Sequence, residues 1–471
     1  MAEESGPTLR RAFERAVAYR ERAAAVPPRP TASLAELRGL FDIGLPAEGR
    51  DGVEIIETLA DAGEQGLIGI TSPQFFGWVM GASHPVGVAA EFLAAAWGQN
   101  AATYQTAPAA AVAEEIASDW LLELLDLPRQ SSVGFTTGAT MASFICLSAA
   151  RTDVLFKAGW DLEEEGLTSA PEVHVFLGEE AHATIHSGLR YLGFGERQKI
   201  QIVVDDQGRM CPDDLERKLM TKRGPKIVIA QAGHINSGAF DPLPAIAKLA
   251  QVHEAWLHVD GAFGLWVRSV PAMAGLCAGA EAADSWSTDG HKWLQVPYDS
   301  GFAIVKNEIA HKRAMDTSAS YITASADDGR SPSQFGPELS RRARGFAVWA
   351  TIQALGRRGI EEMLIRHTQC AKHLRDFLAN EPGIEVLNEV VINQVAVGFG
   401  EEDEPDIFRD DHVRRVIDEI WQENTSYVGG ATWKGRGILR VSTISRTTEI
   451  ADIEQLGSSI IRAWRRVRGR E

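Results

Sequence analysis

The stretch WLHVDGAF at residues 256–263, followed by DSWSTDGHKW at residues 284–293, predicts both the fold and the site of this chain. The first segment is a short apolar run bounded by glycine, which is typical of a buried β-strand, and it carries Asp260 at its C-terminal end. The second segment places Lys292 on a turn directly after His291. Ligands of open α/β sheets bind beyond the carboxyl ends of the strands, so we expect Asp260 and Lys292 to share one site.

An aspartate and a lysine in this arrangement are the two groups that pyridoxal phosphate requires from its protein. The lysine amine forms a Schiff base with the cofactor aldehyde. The carboxylate keeps the pyridine nitrogen protonated, so that the ring can accept electrons. The pair Lys292 and Asp260 therefore predicts an enzyme that uses pyridoxal phosphate.

The segments HVDGAF at 258–263 and DGHKWL at 289–294 resemble the signature of the group II pyridoxal-phosphate decarboxylases. That family contains the aromatic-L-amino-acid, glutamate, tyrosine and histidine decarboxylases of fold type I. The resemblance continues in order from Phe75 to Thr448, which makes it far more specific than either motif alone. It implies that the chain converts an L-amino acid to the corresponding amine. Whether the substrate side chain is aromatic or acidic stays open.

Strands alternate with helices along the chain at a spacing that predicts an α/β fold with a mostly parallel sheet and right-handed crossovers. The resemblance specifies a fold type I, transferase-like architecture with a large domain, a smaller C-terminal α+β domain and an N-terminal helical segment. The expected boundaries are an N-terminal helical segment at 1–75, a cofactor-binding domain at 76–312, an active-site loop and linker at 313–345 and a small domain at 346–471.

The stretch SVGFTTGATMA at 132–142 predicts a strand, a turn of small residues and then a helix, which is the architecture of an anion site. Backbone N–H groups at the helix start and the Thr140 hydroxyl are suited to a phosphate. The resemblance places His182, which follows the predicted strand at 173–177, against the cofactor ring. The residues expected to bind the cofactor are Gly138, Ala139, Thr140, His182, Asp260, Ala262, Asp289, His291 and Lys292.

The aromatic and small-residue stretch at 73–115 resembles the family segment that lines the substrate pocket, partly from the neighbouring subunit. Core aromatic residues are the alternative interpretation of this stretch. The segment WKGRGILR at 433–440 matches the family's terminal signature, which implies that Arg440 binds a substrate carboxylate bidentately; a surface salt bridge is the alternative. The candidates for substrate contact are Trp78, Asn100, Tyr104 and Arg440, with Gln99 beside them.

The segment from Asp316 to Gly336 is long, polar and rich in Ser, Asp and Gly, which is typical of a functional lid or a disordered stretch. In family decarboxylases this loop carries a tyrosine that reprotonates the substrate carbon. An ungapped count back from Trp349 puts Pro332 at that position, and the only nearby tyrosine is Tyr321. The catalytic residues implied are Lys292, Asp260 and His182, and the proton donor is either His182 or a loop residue. The arginine run at 341–344 is typical of a solvated helix face.

Two other reaction outcomes use the same cofactor. An aldehyde synthase, which decarboxylates and then reacts with oxygen, is favoured by the missing loop tyrosine. A carbon–carbon lyase is less favoured, because such enzymes are commonly membrane-anchored and we expect no anchor here. A non-catalytic cofactor-binding paralogue is disfavoured, because binding alone requires neither Asp260 nor Lys292.

Composition limits the partners and the compartment. The net charge of −17 argues against a nucleic-acid surface, which needs a basic stripe. The four cysteines form no Cys-x-x-Cys pair, so we expect neither a metal site nor disulfides. Residues 1–39 lack the apolar core of a signal peptide, so we expect a cytoplasmic protein without a membrane partner. The resemblance implies a homodimer with its active site at the subunit interface.

Overall fold

A computed structural model describes residues 5–316, 329–401 and 403–469. Within it the chain forms two compact units. The larger unit is Ser83–Lys372 with Leu387–Gln394, and the smaller unit is Met1–Ala82, His373–Val386 and Val395–Glu471. This division differs from the predicted boundaries, because the helix that begins at Arg344 packs in the larger unit for most of its length. There, for example, buried His367 accepts a hydrogen bond from Trp293 Nε1 at 2.9 Å.

The elements follow one another in the order expected of an α/β chain. The strands are β1 Ser132–Thr136, β2 His174–Gly178, β3 Lys199–Ile202, β4 Lys226–Gln231, β5 Trp256–Asp260, β6 Ser285–Asp289, β7 Gly301–Val305, β8 Ile384–Val386, β9 Gln394–Phe399, β10 Gly429–Trp433 and β11 Arg436–Ser442. The helices are α1 Ser5–Glu21, α2 Leu34–Phe41, α3 Gly52–Glu64, α4 Pro85–Trp97, α5 Pro108–Leu124, α6 Ala139–Lys157, α7 Leu162–Glu165, α8 Ala183–Tyr191, α9 Pro212–Met220, α10 Leu243–Val252, α11 Glu308–Met315, α12 Arg344–Leu378, α13 Asp406–Glu423 and α14 Ile450–Arg468. Helix α12 is kinked at Gly356, where φ is 61° and ψ is 174°.

The larger unit is built on a seven-stranded sheet in the order β1-β7-β6-β5-β4-β2-β3. Strands β2 to β6 pair in parallel, and β7 runs antiparallel to both β1 and β6. The α/β class and the mostly parallel sheet predicted from the sequence are confirmed. In the parallel strands the carboxyl ends share one edge, and the loops that follow β2, β4, β5 and β6 all leave the sheet there.

The smaller unit has a four-stranded sheet in the order β10-β11-β9-β8, with antiparallel pairing of β10 to β11 and of β8 to β9. Helices α13 and α14 pack in this unit, and the N-terminal helices α1 to α3 belong to it as well. It is the α+β part predicted for the C-terminal region, joined by the predicted N-terminal helical segment.

Helix α6 is the core helix of the larger unit. It is the one helix in the described part of the chain with the length and apolar composition of a membrane span. Yet 72% of that apolar window is buried inside the structure, and Ile145, Cys146 and Ala149 have no exposed surface. Packing against the sheet accounts for its apolar character.

Strand β1 is an edge strand whose outward carbonyls are covered by arginine side chains. Arg341 Nη2 donates to the Phe135 carbonyl at 3.0 Å, and Arg330 donates to the Val133 carbonyl. Both guanidinium groups pair with Glu114 of α5, which lies 2.8 Å from Arg341 and 3.5 Å from Arg330. Glu114 is only 1% exposed, so this triad closes the edge of the sheet with a buried network of charges.

The prediction that the run 341–344 forms a solvated helix face is wrong for two of its arginines. Arg341 and Arg344 are both buried. Each finds a carboxylate, and Arg344 Nε pairs with Asp299 at 2.8 Å. Only Arg342, which pairs with Glu91, stays largely exposed. Local sequence cannot reveal these partners, because they come from distant segments.

Two buried histidines make the stability of the larger unit depend on pH. Burial lowers the pKa of His258 in β5 and of His311 in α11 to about 3. His258 Nδ1 lies 3.0 Å from Ser285 Oγ, and His311 Nδ1 lies 2.8 Å from Ser132 Oγ. An unfolded histidine binds its proton near pH 6.5, so between pH 6.5 and 3 the unfolded chain holds more protons than the folded chain. Their stabilising contribution is complete above pH 6.5 and is lost toward pH 3.

We therefore expect the free energy of unfolding to fall by up to about 3 kcal/mol per histidine as the pH is lowered from 7 to 4.5. Burial also raises the pKa of Asp241 to about 6, which acts in the opposite direction over part of this range. The variant His258→Gln should show a shallower pH dependence in urea unfolding followed by circular dichroism. The half-buried His253 provides the matched control as His253→Gln. An equal slope in both variants contradicts the assignment to His258.

Candidate active site

The loops after the parallel strands enclose a cavity of about 390 Å³. All nine residues predicted to bind the cofactor line it, which places the ends of β5, β6 and the start of α6 around one space. This size lies within the usual range for small-molecule sites. The lining residues that were not predicted are Thr137, Thr184, Gln231, Gly233, Ile235, Phe263 and Tyr298.

Lys292 reaches into this cavity from the turn after β6. Its Nζ atom lies 2.9 Å from Asp289 Oδ2, and it lies 5.9 Å from the centre of the Phe263 ring. The lysine side chain is 19% exposed, so its amine is sheltered but accessible. The short 289–292 turn thus places the Lys292 amine in the cavity together with the Asp289 carboxylate that balances its charge.

Asp260 lies at the C-terminal end of β5 and is 6% exposed. Burial raises the pKa of this carboxyl group, while the nearby His182 and Lys292 act to lower it. Its Oδ1 atom accepts a hydrogen bond from the Ala262 N–H at 3.2 Å. The other oxygen makes no hydrogen bond with the described residues. It is therefore available to accept a hydrogen bond from a ligand N–H or to pair with a cation.

His182 caps the N-terminus of α8. Its Nδ1 atom accepts from the Thr184 N–H at 3.3 Å and lies 2.7 Å from Thr184 Oγ1. In the neutral ring this leaves the proton on Nε2. The cap fixes the imidazole on the wall of the cavity that also contains Asp260.

The turn between β1 and α6 has the geometry of an anion site. The Ala139 N–H points at Asp289 Oδ1 at 2.5 Å, and the hydroxyl groups of Thr137 and Thr140 have no hydrogen-bond partner among the described residues. A Cβ atom on Gly138 would lie 3.0 Å from His291 Cε1 and 3.2 Å from Asp289 Oδ1. A side chain at position 138 would therefore crowd these two groups at the helix start.

His291 forms a stacked pair with Tyr298 on one wall of the cavity. The ring centres are 4.2 Å apart and the planes differ by 25°. His291 Nδ1 accepts from the Ser300 N–H at 3.2 Å, and its Nε2 lies 3.5 Å from Asp289 Oδ1. Burial lowers the pKa of His291, so the ring is neutral at pH 7.

The predicted substrate residues are not brought together in this cavity within the larger unit. The Asn100 side chain binds the backbone instead, donating to the Leu339 carbonyl at 3.0 Å and accepting from the Arg341 N–H at 3.0 Å. The Tyr104 ring packs beside Gly329. Neither residue lines the cavity, so their substrate contact stays a prediction.

Trp78 and Arg440 belong to the smaller unit. Trp78 is 49% exposed and stacks on Tyr427, with ring centres 5.5 Å apart. Arg440 lies in β11 opposite Gly429, and burial lowers its pKa. Their roles in substrate binding stay predictions.

Pro332, at the position expected for the loop tyrosine, is buried. It begins the short 3-10 helix Pro332–Phe335, where the Ser333 N–H donates to the Ala102 carbonyl at 2.9 Å. Tyr321, the other residue considered there, lies outside the described residues. A proline has no proton to donate, so this position cannot supply the one that the loop tyrosine supplies in the family.

Sequence reasoning missed Tyr298 and Phe263 as cavity residues. Phe263 is the last residue of the quoted 256–263 stretch, and Tyr298 follows Lys292 by one short turn, so proximity in sequence was the available signal. Ile235 comes from the loop after β4, and Gln231 is the last residue of that strand. His234 of the same loop pairs with Glu180, at 3.1 Å between Nε2 and Oε2.

Comparison with known proteins agrees with this geometry. The sequence model of the family described as "Pyridoxal-dependent decarboxylase conserved domain" matches residues 35–399. The aromatic-L-amino-acid decarboxylase of Bacillus atrophaeus is 25% identical over 429 residues, which cover 89% of this chain and 87% of that protein. The human cysteine sulfinic acid decarboxylase is 26% identical over 442 residues, which cover 89% and 88%.

Among solved structures, the crystal structure of Oryza sativa TDC with PLP and tryptamine superposes with a TM-score of 0.91. The sequence identity is 21%, and the match covers 99% of this chain and 98% of that one. The whole chain therefore shares the fold of that protein.

Gly301 in β7 packs closely against Gly138 in the turn before α6. A Cβ atom on Gly301 would lie 2.4 Å from Gly138 Cα and 2.5 Å from Gly138 C, so Gly301→Ala must displace the turn before α6. We expect the affinity for pyridoxal phosphate to fall by about tenfold or more, since a loss of ~1.4 kcal/mol suffices. Titration of the cofactor absorbance measures this. The control Gly275→Ala has open space around the added methyl group. Equal affinities of the two variants contradict the role assigned to this contact.

Proposed function

Because this chain belongs to the pyridoxal-dependent decarboxylase family, we propose that Lys292, Asp260 and His182 are the catalytic set with which it decarboxylates an L-amino acid. The enzyme is a carboxy-lyase that uses pyridoxal phosphate: the amino acid loses its carboxylate as carbon dioxide and leaves as the amine. The observation that carries the residue assignment is that an amine, a buried carboxylate and a fixed imidazole line one cavity.

The residues present fit the cofactor at both of its ends. Asp260 offers an unshared carboxylate oxygen, which suits the protonated ring nitrogen. The helix start at Ala139 and the hydroxyl groups of Thr137 and Thr140 suit the phosphate. Lys292 lines the same cavity as these groups, where its amine would hold the aldehyde.

Bound pyridoxal phosphate supplies an aldehyde for an amine and a ring that accepts electrons. Lys292 would hold the bound cofactor through its amine, at the position that the substrate amino group must also reach. Asp260 would hold the ring nitrogen as an ionised carboxylate, because a cation beside it would offset the desolvation that raises its pKa. His182, held by its contact with Thr184, lines the same cavity and would pack against the bound cofactor ring.

The walls of the cavity favour an apolar or aromatic substrate side chain. Phe263, Ile235 and Tyr298 line it, whereas Lys292 is the only lysine or arginine that lines it among the described residues. An acidic side chain would need a second cation, because a buried carboxylate without one is unstable. We therefore place aromatic amino acids ahead of acidic ones as substrates of this enzyme.

A substrate panel with two active-site variants tests this proposal. The holoenzyme should release carbon dioxide and amine from aromatic L-amino acids with a higher kcat/KM than from L-glutamate or L-cysteine sulfinate. Lys292→Ala should abolish the yellow covalent cofactor species and turnover. Asp260→Ala should retain bound cofactor but lose about 100-fold or more in kcat, by analogy with the loss of other groups that act on charge or protons.

Thr221→Ala supplies the control for this experiment, because Thr221, at the C-terminal end of α9, is exposed and does not line the cavity. Normal turnover in Lys292→Ala would remove that residue from the catalytic set. A clear preference for acidic substrates would overturn the side-chain assignment and leave the decarboxylase activity intact.

A second candidate outcome is an aldehyde synthase, in which decarboxylation is followed by reaction with oxygen. The observation that favours it is the buried Pro332 at the position expected for the loop tyrosine. The same panel separates the two outcomes, because an aldehyde synthase yields aldehyde, ammonia and peroxide in place of amine.

We also propose a cytoplasmic homodimer whose active site lies at the subunit interface. One face of α4 exposes three large apolar side chains: Val86 is 42% exposed, Leu93 51% and Trp97 51%. Such a cluster of exposed apolar side chains is unusual on a protein surface. Such a face is suited to a second copy of the chain. The four cysteines are free thiols, which suits a reducing compartment.

Light scattering after size-exclusion chromatography tests the dimer. The wild-type chain should elute with twice the mass of one chain, and Leu93→Asp should weaken the dimer by about tenfold or more, because it buries a charge in the interface. Met220 on α9 is 72% exposed and provides the control as Met220→Asp. A wild-type monomer at micromolar concentration would contradict the proposal.

A further inference from the structure

Decarboxylation leaves an electron pair on the substrate α-carbon, and an amine forms only if a proton is delivered there. The donor must reach the cavity and carry a transferable proton at neutral pH. Among the described residues that line the cavity, the side chains that meet this requirement by type are His182, His291, Lys292 and Tyr298, besides threonine hydroxyl groups.

Three of these four side chains already have another role or partner. His182 is fixed by Thr184 at Nδ1 and is assigned above to the cofactor ring, and His291 has the Ser300 N–H at one ring nitrogen and Asp289 near the other. Lys292 binds Asp289 and is the group that must exchange with the substrate amine.

Tyr298 is different, because its hydroxyl group has no hydrogen-bond partner among the described residues, although it lines the cavity with Lys292 and Asp260. We propose that Tyr298 is the proton donor to the substrate α-carbon, an inference that rests on the decarboxylase function proposed above. The electron pair left by the broken bond between the α-carbon and the carboxylate forms the new carbon–hydrogen bond with the phenol proton. The resulting phenolate then recovers a proton from water.

Three contacts fix the short loop that carries Tyr298. The Tyr298 ring stacks on His291 at 4.2 Å between ring centres. The next residue, Asp299, pairs with Arg344 Nε at 2.8 Å, and the Ser300 N–H donates to His291 Nδ1 at 3.2 Å. A donor needs such a fixed position, because proton transfer requires hydrogen-bond distance to the acceptor atom.

The surroundings of the phenol suit a donor. Tyr298 stays 44% exposed because its ring faces the open cavity. Desolvation nevertheless raises its pKa, and the negative charge of Asp289 acts in the same direction. The group is therefore a neutral phenol at physiological pH, with its proton available. The buried Pro332 offers no competing phenol at the loop position.

The test uses the holoenzyme and separates loss of carbon dioxide from formation of amine. Single-turnover experiments with Tyr298→Phe should release carbon dioxide within about threefold of the wild-type rate, while amine forms at least ~100-fold more slowly. In air the electron pair should pass to molecular oxygen, which is reduced to hydrogen peroxide, and hydrolysis of the resulting imine gives aldehyde and ammonia. KM should change little, because the ring is retained.

Two further variants make the result specific. Tyr191→Phe, on an exposed tyrosine at the end of α8, should behave as wild type in every assay. Tyr321→Phe removes the alternative phenol, and we expect it to leave the ratio of amine to carbon dioxide unchanged.

Several outcomes would overturn the assignment. Normal amine formation by Tyr298→Phe removes it as donor, and so does a loss of amine in Tyr321→Phe instead. A Tyr298→Phe enzyme that loses its cofactor, or that slows carbon dioxide and amine equally, assigns the residue to binding alone. Failure of the decarboxylase function is distinguishable, because the wild-type enzyme would then release no carbon dioxide from any amino acid.

Discussion

Desolvation of the Asp260 carboxyl group is the constraint on which the rest of the site depends. The residue ends β5, the central strand of the larger sheet, where its backbone is fixed on both sides: Ala232 N–H donates to its carbonyl at 2.8 Å, and Gly261 N–H donates to Ser287 at 2.9 Å. A carboxyl group held there has lost water and gained one hydrogen bond. The free energy of its ionised form is therefore lowered by any cation placed against it, and the pyridinium nitrogen of the cofactor is such a cation.

The sheet brings the other groups of the site close to Asp260. Because β4, β5 and β6 are parallel and in register, the loops after them start at the same edge and within a few ångströms of one another. The antiparallel β7 then brings Gly301 against Gly138, so that the loop after β6 closes on the start of α6. The amine, the carboxylate and the anion-binding turn thus have fixed spacing before any ligand binds, which is what preorganisation requires.

The site residues that could be predicted from the sequence are those that lie in short, recognisable motifs. Asp260 and Lys292 each lie in a short motif whose strand and turn can be read from neighbouring residues, and the turn at Gly138 precedes a recognisable helix. The triad of Arg330, Glu114 and Arg341 could not be predicted, because its three members meet only after the chain folds. Asn100 was predicted to contact the substrate, but its side-chain amide hydrogen-bonds to the backbone of Leu339 and Arg341. Those partners are distant in sequence, so the local sequence could not reveal them.

Asp289 links the two ends of the cofactor site through charge. Its two oxygens contact the Ala139 N–H at the helix start and the Lys292 amine, which are the groups suited to the phosphate and to the aldehyde. A carboxylate at a helix N-terminus is stabilised by the helix dipole, and it also neutralises the lysine in a site of low polarity. A phosphate held at this helix start would compete with Asp289 for the Ala139 N–H, and an aldehyde would compete with it for the Lys292 amine. Until a ligand binds, Asp289 pairs with the lysine, so the protein avoids most of the desolvation cost that an unpaired lysine would carry there.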